Sequence, residues 1–433
     1  MVKPVFSAAF ISPRAENAGL RRHILGFKEV LGGALGGMGL SGTVIIGIPV
    51  VLAKGGSSTA LIFLAAMCAF LLVAAQVNVF ARRIASSGSL CDYVNSVFGS
   101  GVGAATGWAL LLGYAASVPA YLASVPYTLI GMFHGAGGMG EPGMGELVAT
   151  AIAIAGLASW LGIRNVTLST RAILVVEVLS LGVLASVIGR HMPAPAVLFA
   201  APPLDAGDVR HGAAGLALAM ACFIGFEAAS VFGAEAKRPL TMIPRANLAT
   251  VLVTGAVTVT ASGAVIGAFH GLPSGDGGNP FAVLVGGSDL RWSLPAILGA
   301  AALSWFGCLL ACLNTGGRLL YTLALQGYFW KVAGRVHPRF ATPFVAVAGI
   351  AVTGTATTVA LFLGGADAMD ILVGAVSVAA TGCLTAYALV SAAAVVERWK
   401  CGGSCRRLAH ALSGLSVIAL MLFAVAGLML ELG

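Results

Sequence analysis

Two acidic residues lie inside apolar stretches that are long enough to cross a bilayer. Glu227 ends the segment Ala-Cys-Phe-Ile-Gly-Phe-Glu at 221–227, and Glu177 lies among branched aliphatic residues at 173–179. A carboxylate in hydrocarbon is costly, so such residues commonly mark a substrate, ion or proton pathway. Reversible protonation is the chemistry that both residues could perform. The alternative for each is a static role in which hydrogen bonds satisfy the carboxylate, and for Glu177 also the binding of a cation.

Glycines interrupt two of the apolar stretches. Residues 36–43 read Gly-Gly-Met-Gly-Leu-Ser-Gly-Thr, and Gly225 lies beside the second carboxylate. Unwinding a helix there exposes N–H groups at the start of one half and C=O groups at the end of the other, and these need partners in hydrocarbon. A carboxylate suits the N–H end and an ammonium the C=O end. Two broken helices in corresponding places therefore predict a transporter site for a zwitterion.

The composition requires a membrane protein. Hydrophobic residues make up 58% of the 433 residues, charged residues only 9%, and the mean hydropathy is +0.97. This leaves too little polar surface to cover a soluble globule. Apolar runs of roughly 17 to 25 residues or more predict an all-α integral membrane protein with about eleven spans, at 29–53, 58–80, 101–133, 147–163, 169–190, 211–232, 246–268, 296–326, 344–363, 370–395 and 408–430.

The Lys and Arg residues are concentrated in alternate connections between the spans. Nineteen of the 24 Lys and Arg residues fall in the N-terminal tail (1–28) and in the even-numbered connections between spans. The positive-inside rule then predicts a multi-pass protein of the cytoplasmic membrane, with its N-terminus in the cytoplasm and, after eleven spans, its C-terminus outside. The net charge of +8 is explained in this way, and no nucleic acid partner is expected.

The sequence contains no motif of an enzyme. A His-Glu-x-x-His motif, a Walker motif and a plausible nucleophile–base pair are all absent, and no cluster of His and Cys predicts a metal site. The segment 99–104 looks like a dinucleotide fingerprint, but it leads into a membrane helix with no strand before it. We expect no cofactor. The expected partners are the bilayer and a small molecule, and the residues do not indicate an oligomeric state.

Several motifs resemble the amino acid-polyamine-organocation (APC) superfamily. Similar segments lie in the first, sixth and eighth spans and in the connections after the sixth and eighth: 42–49, 223–227, 235–239, 243–246, 318–321, 336–339 and 342–343. The resemblance implies the LeuT-like fold, in which two five-helix repeats of opposite orientation are joined and helices 1 and 6 are discontinuous. The repeats would be 29–190 and 211–395, followed by an eleventh helix at 408–430.

The resemblance also implies a site for an amino acid. Backbone groups of the first span would hold the carboxylate, backbone groups of the sixth the ammonium, and two polar side chains would complete the site: Gly42, Thr43, Val44 and Ile45; Phe223, Ile224, Gly225 and Phe226; Glu227 and Asn314. The small, apolar cavity candidates favour a neutral substrate. Glu177 and Glu227 would couple alternating access to protons, with sodium as the alternative ion. Packing roles are the alternative for both phenylalanines, and interhelical hydrogen bonding for Asn314.

Three departures from the family pattern bear on the substrate and on the coupling ion. Val44 stands where the family usually has the second glycine of the first-helix motif, Glu177 stands where many proton-coupled members have a lysine, and Ala221 replaces the gating tryptophan of arginine/agmatine-type exchangers. The first departure favours an alternative, an exchanger or exporter of an amine or a modified amino acid. A remoter alternative is a sensor that binds an amino acid without moving it.

Overall fold

The computed structural model describes residues 19–137, 142–188, 206–269, 293–401 and 404–432. Residues 1–18 of the predicted tail, and most of the predicted connections 191–210 and 269–295, lie outside these ranges. The described chain is helical, and an isolated bridge pairs Leu25 with Ala236.

Thirteen helices follow one another along the described chain, together with short 3-10 turns. They are α1 (Phe27–Met38), α2 (residues 40–55), α3 (Thr59–Ala81), α4 (Leu90–Phe98), α5 (Ser100–Gly137), α6 (Met144–Arg164), α7 (Val166–Ile188), α8 (Ala206–Ala221), α9 (Pro239–Phe269), α10 (Ser293–Leu325), α11 (Phe344–Leu363), α12 (Ala368–Cys401) and α13 (Ser404–Leu432). The first span consists of α1 and α2. The sixth consists of α8 and the 3-10 helix Phe226–Phe232.

The number of spans agrees with the prediction from hydropathy. Nine helical runs in the described residues are long and apolar enough to cross a bilayer. The first of these runs, Phe27–Ala81, contains both the first span and α3, and the apolar part of α13, Leu412–Gly427, is an additional shorter helix. The predicted architecture of about eleven membrane helices is therefore confirmed.

The two predicted helix breaks are present and touch each other. Helix α1 ends at Met38 and is followed by Gly39, which has a φ of +56°, and the sixth span is unwound up to Gly225, which has a φ of +101°. Glycine adopts this region at no steric cost. A Cβ atom at Gly225 would lie 2.6 Å from the carbonyl oxygen of Gly37. The absence of a side chain at Gly225 thus lets the unwound turn pack directly on the backbone of α1.

Hydropathy did not predict α4, which has nine residues and is too short to register as a span. Its apolar face is buried, and Gln326 Nε2, just beyond α10, donates a hydrogen bond to Asp92 Oδ1 at 2.7 Å. Burial raises the pKa of Asp92 above its usual range, against the opposing effect of this hydrogen bond. Helix α4 is therefore anchored to the end of α10 rather than lying free in the connection between α3 and α5.

Candidate functional site

A cavity of about 200 Å³ opens where the two helix breaks meet. Its wall includes Gly39, Gly42 and Thr43 from the first span, and Ile224 and Gly225 from the sixth. Helices α5, α10 and α12 supply most of the remaining wall. No Asp, Glu, Lys, Arg or His side chain lines it among the described residues. The volume is below the ~300 Å³ lower end for drug-sized ligands, so the cavity fits a small ligand and offers it no charged side chain as a partner.

The carboxylate of Glu177 caps the second half of the first span. Glu177 is 1% exposed. Its Oε1 accepts the backbone N–H of Ser41 at 2.9 Å and the Ser41 hydroxyl at 3.3 Å, and its Oε2 accepts the Ser304 hydroxyl at 2.9 Å. The positive end of the α2 dipole favours an anion at this place. Glu177 thus joins α7, α2 and α10 through one carboxylate.

The N–H of Ser41, which Glu177 binds, is next to the backbone groups of residues 42–45 that were expected to hold a substrate carboxylate. The N–H of Gly42 donates to Ser304 Oγ at 3.4 Å, and the N–H of Thr43 donates to the carbonyl of Gly39 at 2.8 Å. A ligand carboxylate at the start of α2 would therefore compete with partners inside the protein. Gly42 and Thr43 line the cavity, whereas Val44 and Ile45 are buried outside its wall.

The break in the sixth span offers acceptors instead. No group in the described part of the chain donates a hydrogen bond to the carbonyl oxygens of residues 222–224, and the N–H of Gly225 donates to the Tyr387 hydroxyl at 3.1 Å. Carbonyls at the end of a helix carry partial negative charge. This side of the cavity is therefore suited to an ammonium group.

The two phenylalanines of this segment pack behind the wall. Phe223 and Phe226 are fully buried, and their ring centroids lie 5.4 Å and 5.8 Å from that of Phe70. Phe226 also packs on Tyr387, at 5.4 Å. Neither lines the cavity, in contrast to Ile224 and Gly225. The side chains of Phe223 and Phe226 thus pack against the unwound turn without entering the cavity.

Glu227 does not line the cavity itself, but it contacts Tyr114, which does. Its Oε1 accepts the Tyr114 hydroxyl at 2.7 Å, and its Oε2 accepts the Tyr387 hydroxyl in a short hydrogen bond. Tyr114 lines the cavity. Because Tyr387 contacts both Glu227 and the N–H of Gly225, this carboxylate is part of the framework that fixes the break.

Asn314 also lies outside the cavity wall. Its Nδ2 donates to Ser169 Oγ and to the Leu310 carbonyl, and its side-chain oxygen accepts a hydrogen bond from Arg318 at 3.3 Å. The structure therefore places Asn314 in contacts between α10 and α7, and in a chain of polar groups that continues to Glu235.

The end of the bundle near residues 19–26 is closed by backbone pairing. The N–H groups of Ile24 and Leu25 both donate to the carbonyl of Glu235, at 2.9 and 3.1 Å, and the N–H of Lys237 donates to the Leu25 carbonyl. The Glu235 side chain binds Arg318 of α10. The segment before α1 is thus held against the connection after the sixth span.

Ser304, Tyr114 and Tyr387 are three further polar residues of the site, and none belongs to a motif in the sequence. Each bonds to one of the two buried carboxylates, but each lies more than a hundred residues away from it along the chain. A polar residue within an apolar span was the available signal. That signal does not say which partner the residue meets.

Comparisons with known proteins identify the family. The model of the amino acid permease family matches residues 25–432. An uncharacterized transporter of Mycobacterium tuberculosis strain H37Rv is 27% identical over 394 residues, which cover 89% of this chain and 82% of that protein. The branched-chain amino acid permease BcaP of Bacillus subtilis is 27% identical over 198 residues, or 46% of this chain and 40% of BcaP.

Solved structures share the fold at low identity. MhsT in complex with L-phenylalanine superposes with a TM-score of 0.60 at 13% identity, covering 95% of this chain and 98% of MhsT. The manganese transporter of Eremococcus coleocola, in complex with an aromatic bis-isothiourea substituted compound, gives 0.61 at 12% identity, covering 93% and 87%. These neighbours confirm the predicted LeuT-like architecture.

Proposed function

The chain belongs to the amino acid permease family, within the APC superfamily, and on that premise we propose that it moves neutral amino acids across the cytoplasmic membrane by proton-coupled alternating access. It is a multi-pass membrane transporter of a small molecule rather than an enzyme. The name of the Bacillus subtilis relative, a branched-chain amino acid permease, supports an amino acid substrate.

The cavity at the two breaks is the observation that carries the proposal. The carbonyl groups of residues 222–224, just after α8, suit the ammonium group that all amino acids share, and the absence of charged side chains from the described wall favours a neutral side chain. A charged side chain would enter such a wall without a partner, which is costly. Lysine and glutamate are therefore expected to be poor substrates.

The closed end of the bundle supports alternating access. Residues 24 and 25 form backbone hydrogen bonds with residues 235 and 237. The side chain of Glu235 also forms a buried ion pair with Arg318. In the predicted orientation this end is cytoplasmic. Release into the cytoplasm would require the first span and the connection after the sixth to separate. The opposite state of the cycle would then have this ion pair broken or rearranged.

Glu177 is the residue that we propose as the proton carrier. As an anion it accepts three hydrogen bonds from Ser41 and Ser304. A protonated carboxyl has less acceptor capacity and becomes a donor, so protonation would weaken the cap on α2 and loosen the first span from α7 and α10. Glu227 is the second carboxylate that could take part, and sodium is the alternative coupling ion.

Transport into proteoliposomes tests the proposal. We expect counterflow of at least one neutral amino acid, no counterflow of lysine or glutamate, and net accumulation driven by an inwardly directed proton gradient without sodium. Accumulation that requires sodium at constant pH would contradict proton coupling. Binding of amino acids without any counterflow would indicate a sensor.

An amine substrate is the second candidate, and the Glu177 cap is the observation that favours it. If Glu177 retains the N–H of Ser41 throughout the cycle, the cavity offers acceptors for an ammonium but no comparable donors for a carboxylate. A ligand raises the melting temperature of the folded state that it binds. Stabilisation by decarboxylated amines and not by their parent amino acids would establish an amine exchanger or exporter.

A further inference from the structure

Sulfur atoms are concentrated in the wall of the cavity. Four of the eight cysteines of the chain line it, together with one methionine: Cys222, Cys308, Cys312, Cys383 and Met38. The thiols lie on different walls. Cys222 follows α8, Cys308 and Cys312 lie one turn apart on α10, and Cys383 lies on α12. A ligand in a cavity of this size would contact several sulfur atoms at once.

Glycines face three of these thiols from neighbouring helices. A Cβ atom at Gly39 would collide with Cys308 Sγ, one at Gly113 would collide with Cys383 Sγ, and one at Gly47 would lie 2.9 Å from Cys222 Sγ. Because each of these glycines has no side chain, the thiol opposite it can pack directly against the backbone. The positions of these sulfur atoms are therefore set by close helix packing, and Cys308 and Cys383 are buried.

The thiols form few hydrogen bonds. Cys222 donates a weak hydrogen bond to the Leu218 carbonyl at 3.5 Å, Cys308 pairs with Tyr121, and Cys312 pairs with Ser117. None of the four forms a disulfide, and no group of three or more metal-ligating side chains occurs in the described residues. Alanine or serine would fill much of the same space. What cysteine adds is a polarisable surface.

We propose that this sulfur lining selects neutral amino acids with a polarisable side chain, a thioether or an aromatic ring, over aliphatic side chains of the same size. The inference rests on the proposed function, since it assumes that an amino acid occupies the cavity. Sulfur makes favourable contacts with aromatic rings and adapts to irregular shapes. Tyr121 and Trp305 also line the cavity, so a thioether ligand would meet aromatic faces, and an aromatic ligand would meet sulfur.

Matched ligand pairs test the proposal on the unmodified protein. Methionine and norleucine have nearly the same shape and differ by sulfur in place of a methylene, and phenylalanine and cyclohexylalanine differ in aromaticity. We expect the first member of each pair to bind about fivefold more tightly, the effect of one or two sulfur contacts. Equal affinities within both pairs would overturn the inference and leave amino acid transport intact. No binding of any amino acid would instead reject the proposed function.

Cysteine variants identify the cause of the preference. Cys308→Ala, Cys312→Ala and Cys383→Ala, measured separately, are each expected to lower the ratio of the affinity for phenylalanine to that for cyclohexylalanine, because these thiols would contact the aromatic ring. Cys68→Ala is the control, because Cys68 is exposed on α3 and does not line the cavity. A ratio that stays the same in all three cavity variants would overturn the proposal.

If the variants do not fold, alkylation of the wild-type protein tests whether a ligand contacts the cavity thiols. Cys222 is the least buried of the four cavity thiols, so methionine should protect it, but not Cys68, from a small membrane-permeant maleimide, with the modified peptides read by mass spectrometry. Equal modification of Cys222 with and without bound methionine would show that the ligand does not contact this thiol. That result would also overturn the proposal.

Discussion

Arg318 and Glu235 form a two-point ion pair that is almost completely removed from solvent. Nε lies 2.6 Å from Oε2 and the second nitrogen 3.2 Å from Oε1, and both side chains are 1% exposed. The guanidinium also lies 4.8 Å above the ring of Phe232. The pair connects α10 to the connection that holds the segment before α1, so it is placed to stabilise the closed end of the bundle.

Breaking this pair should destabilise the protein strongly. Arg318→Met leaves the Glu235 carboxylate buried without its partner, which costs about 3–5 kcal/mol. We expect a large fall in the melting temperature of the purified protein. Arg83→Met is the control, since Arg83 pairs with Glu397 while remaining 49% exposed, and such pairs contribute only about 0–1 kcal/mol. Equal falls in melting temperature for the two variants would show that the buried pair contributes no more to stability than the exposed pair does.

Glu177→Gln should separate proton-driven uptake from exchange. The amide keeps the shape of the side chain and one acceptor for the N–H of Ser41, but it cannot release a proton. We expect uptake driven by a pH gradient to be lost and counterflow at equal pH to be retained. Glu397→Gln, which alters a carboxylate outside the cavity, should retain both activities. Equal loss of uptake and counterflow in Glu177→Gln would argue against a proton-specific role.

Ser304→Ala should move the pH dependence of uptake. The Ser304 hydroxyl donates to Glu177 at 2.9 Å and accepts the N–H of Gly42, so its removal takes a donor from the anionic form. Losing such a donor favours the protonated form, and the midpoint of uptake should shift to higher pH. Ser180→Ala is matched, because Ser180 joins the same two helices through the Ala300 carbonyl. A midpoint that is unchanged, or shifted equally in both, would contradict the role given to Ser304.

The sequence was sufficient for the architecture and for the two breaks, but not for the contacts of the carboxylates. Length and hydropathy predict the spans because each must cross the same thickness of hydrocarbon, and Gly225 marks a break because it tolerates a positive φ. The partners of Glu177 and Glu227 depend on which faces of α2, α5, α10 and α12 turn inward. No local periodicity encodes those pairings, and so the Glu177 cap on α2 emerged only from the structure.

Tyr387→Phe should disturb the site more than Tyr114→Phe. The Tyr387 hydroxyl contacts both Glu227 and the N–H of Gly225, whereas Tyr114 contacts Glu227 alone. A buried donor left unsatisfied costs about 1–3 kcal/mol, and only Tyr387→Phe leaves the N–H of Gly225 in that state. We expect a lower melting temperature and a higher KM for Tyr387→Phe. The reverse order would show that the unwound turn does not depend on this hydroxyl.

Gly225→Ala should prevent the two breaks from packing. Gly225 has a φ of +101°, and a Cβ there would lie 2.6 Å from the Gly37 oxygen and 2.8 Å from its carbonyl carbon. Backbone on both sides leaves no flexible side chain to yield, so α1 and the sixth span must separate. We expect little folded protein, or folded protein without ligand binding. Gly349→Ala on α11 is the control: its Cβ would meet nothing within 4 Å, and alanine favours a helix by about 1 kcal/mol over glycine. Normal melting and binding of Gly225→Ala would show that the contact between the breaks is not required for the site.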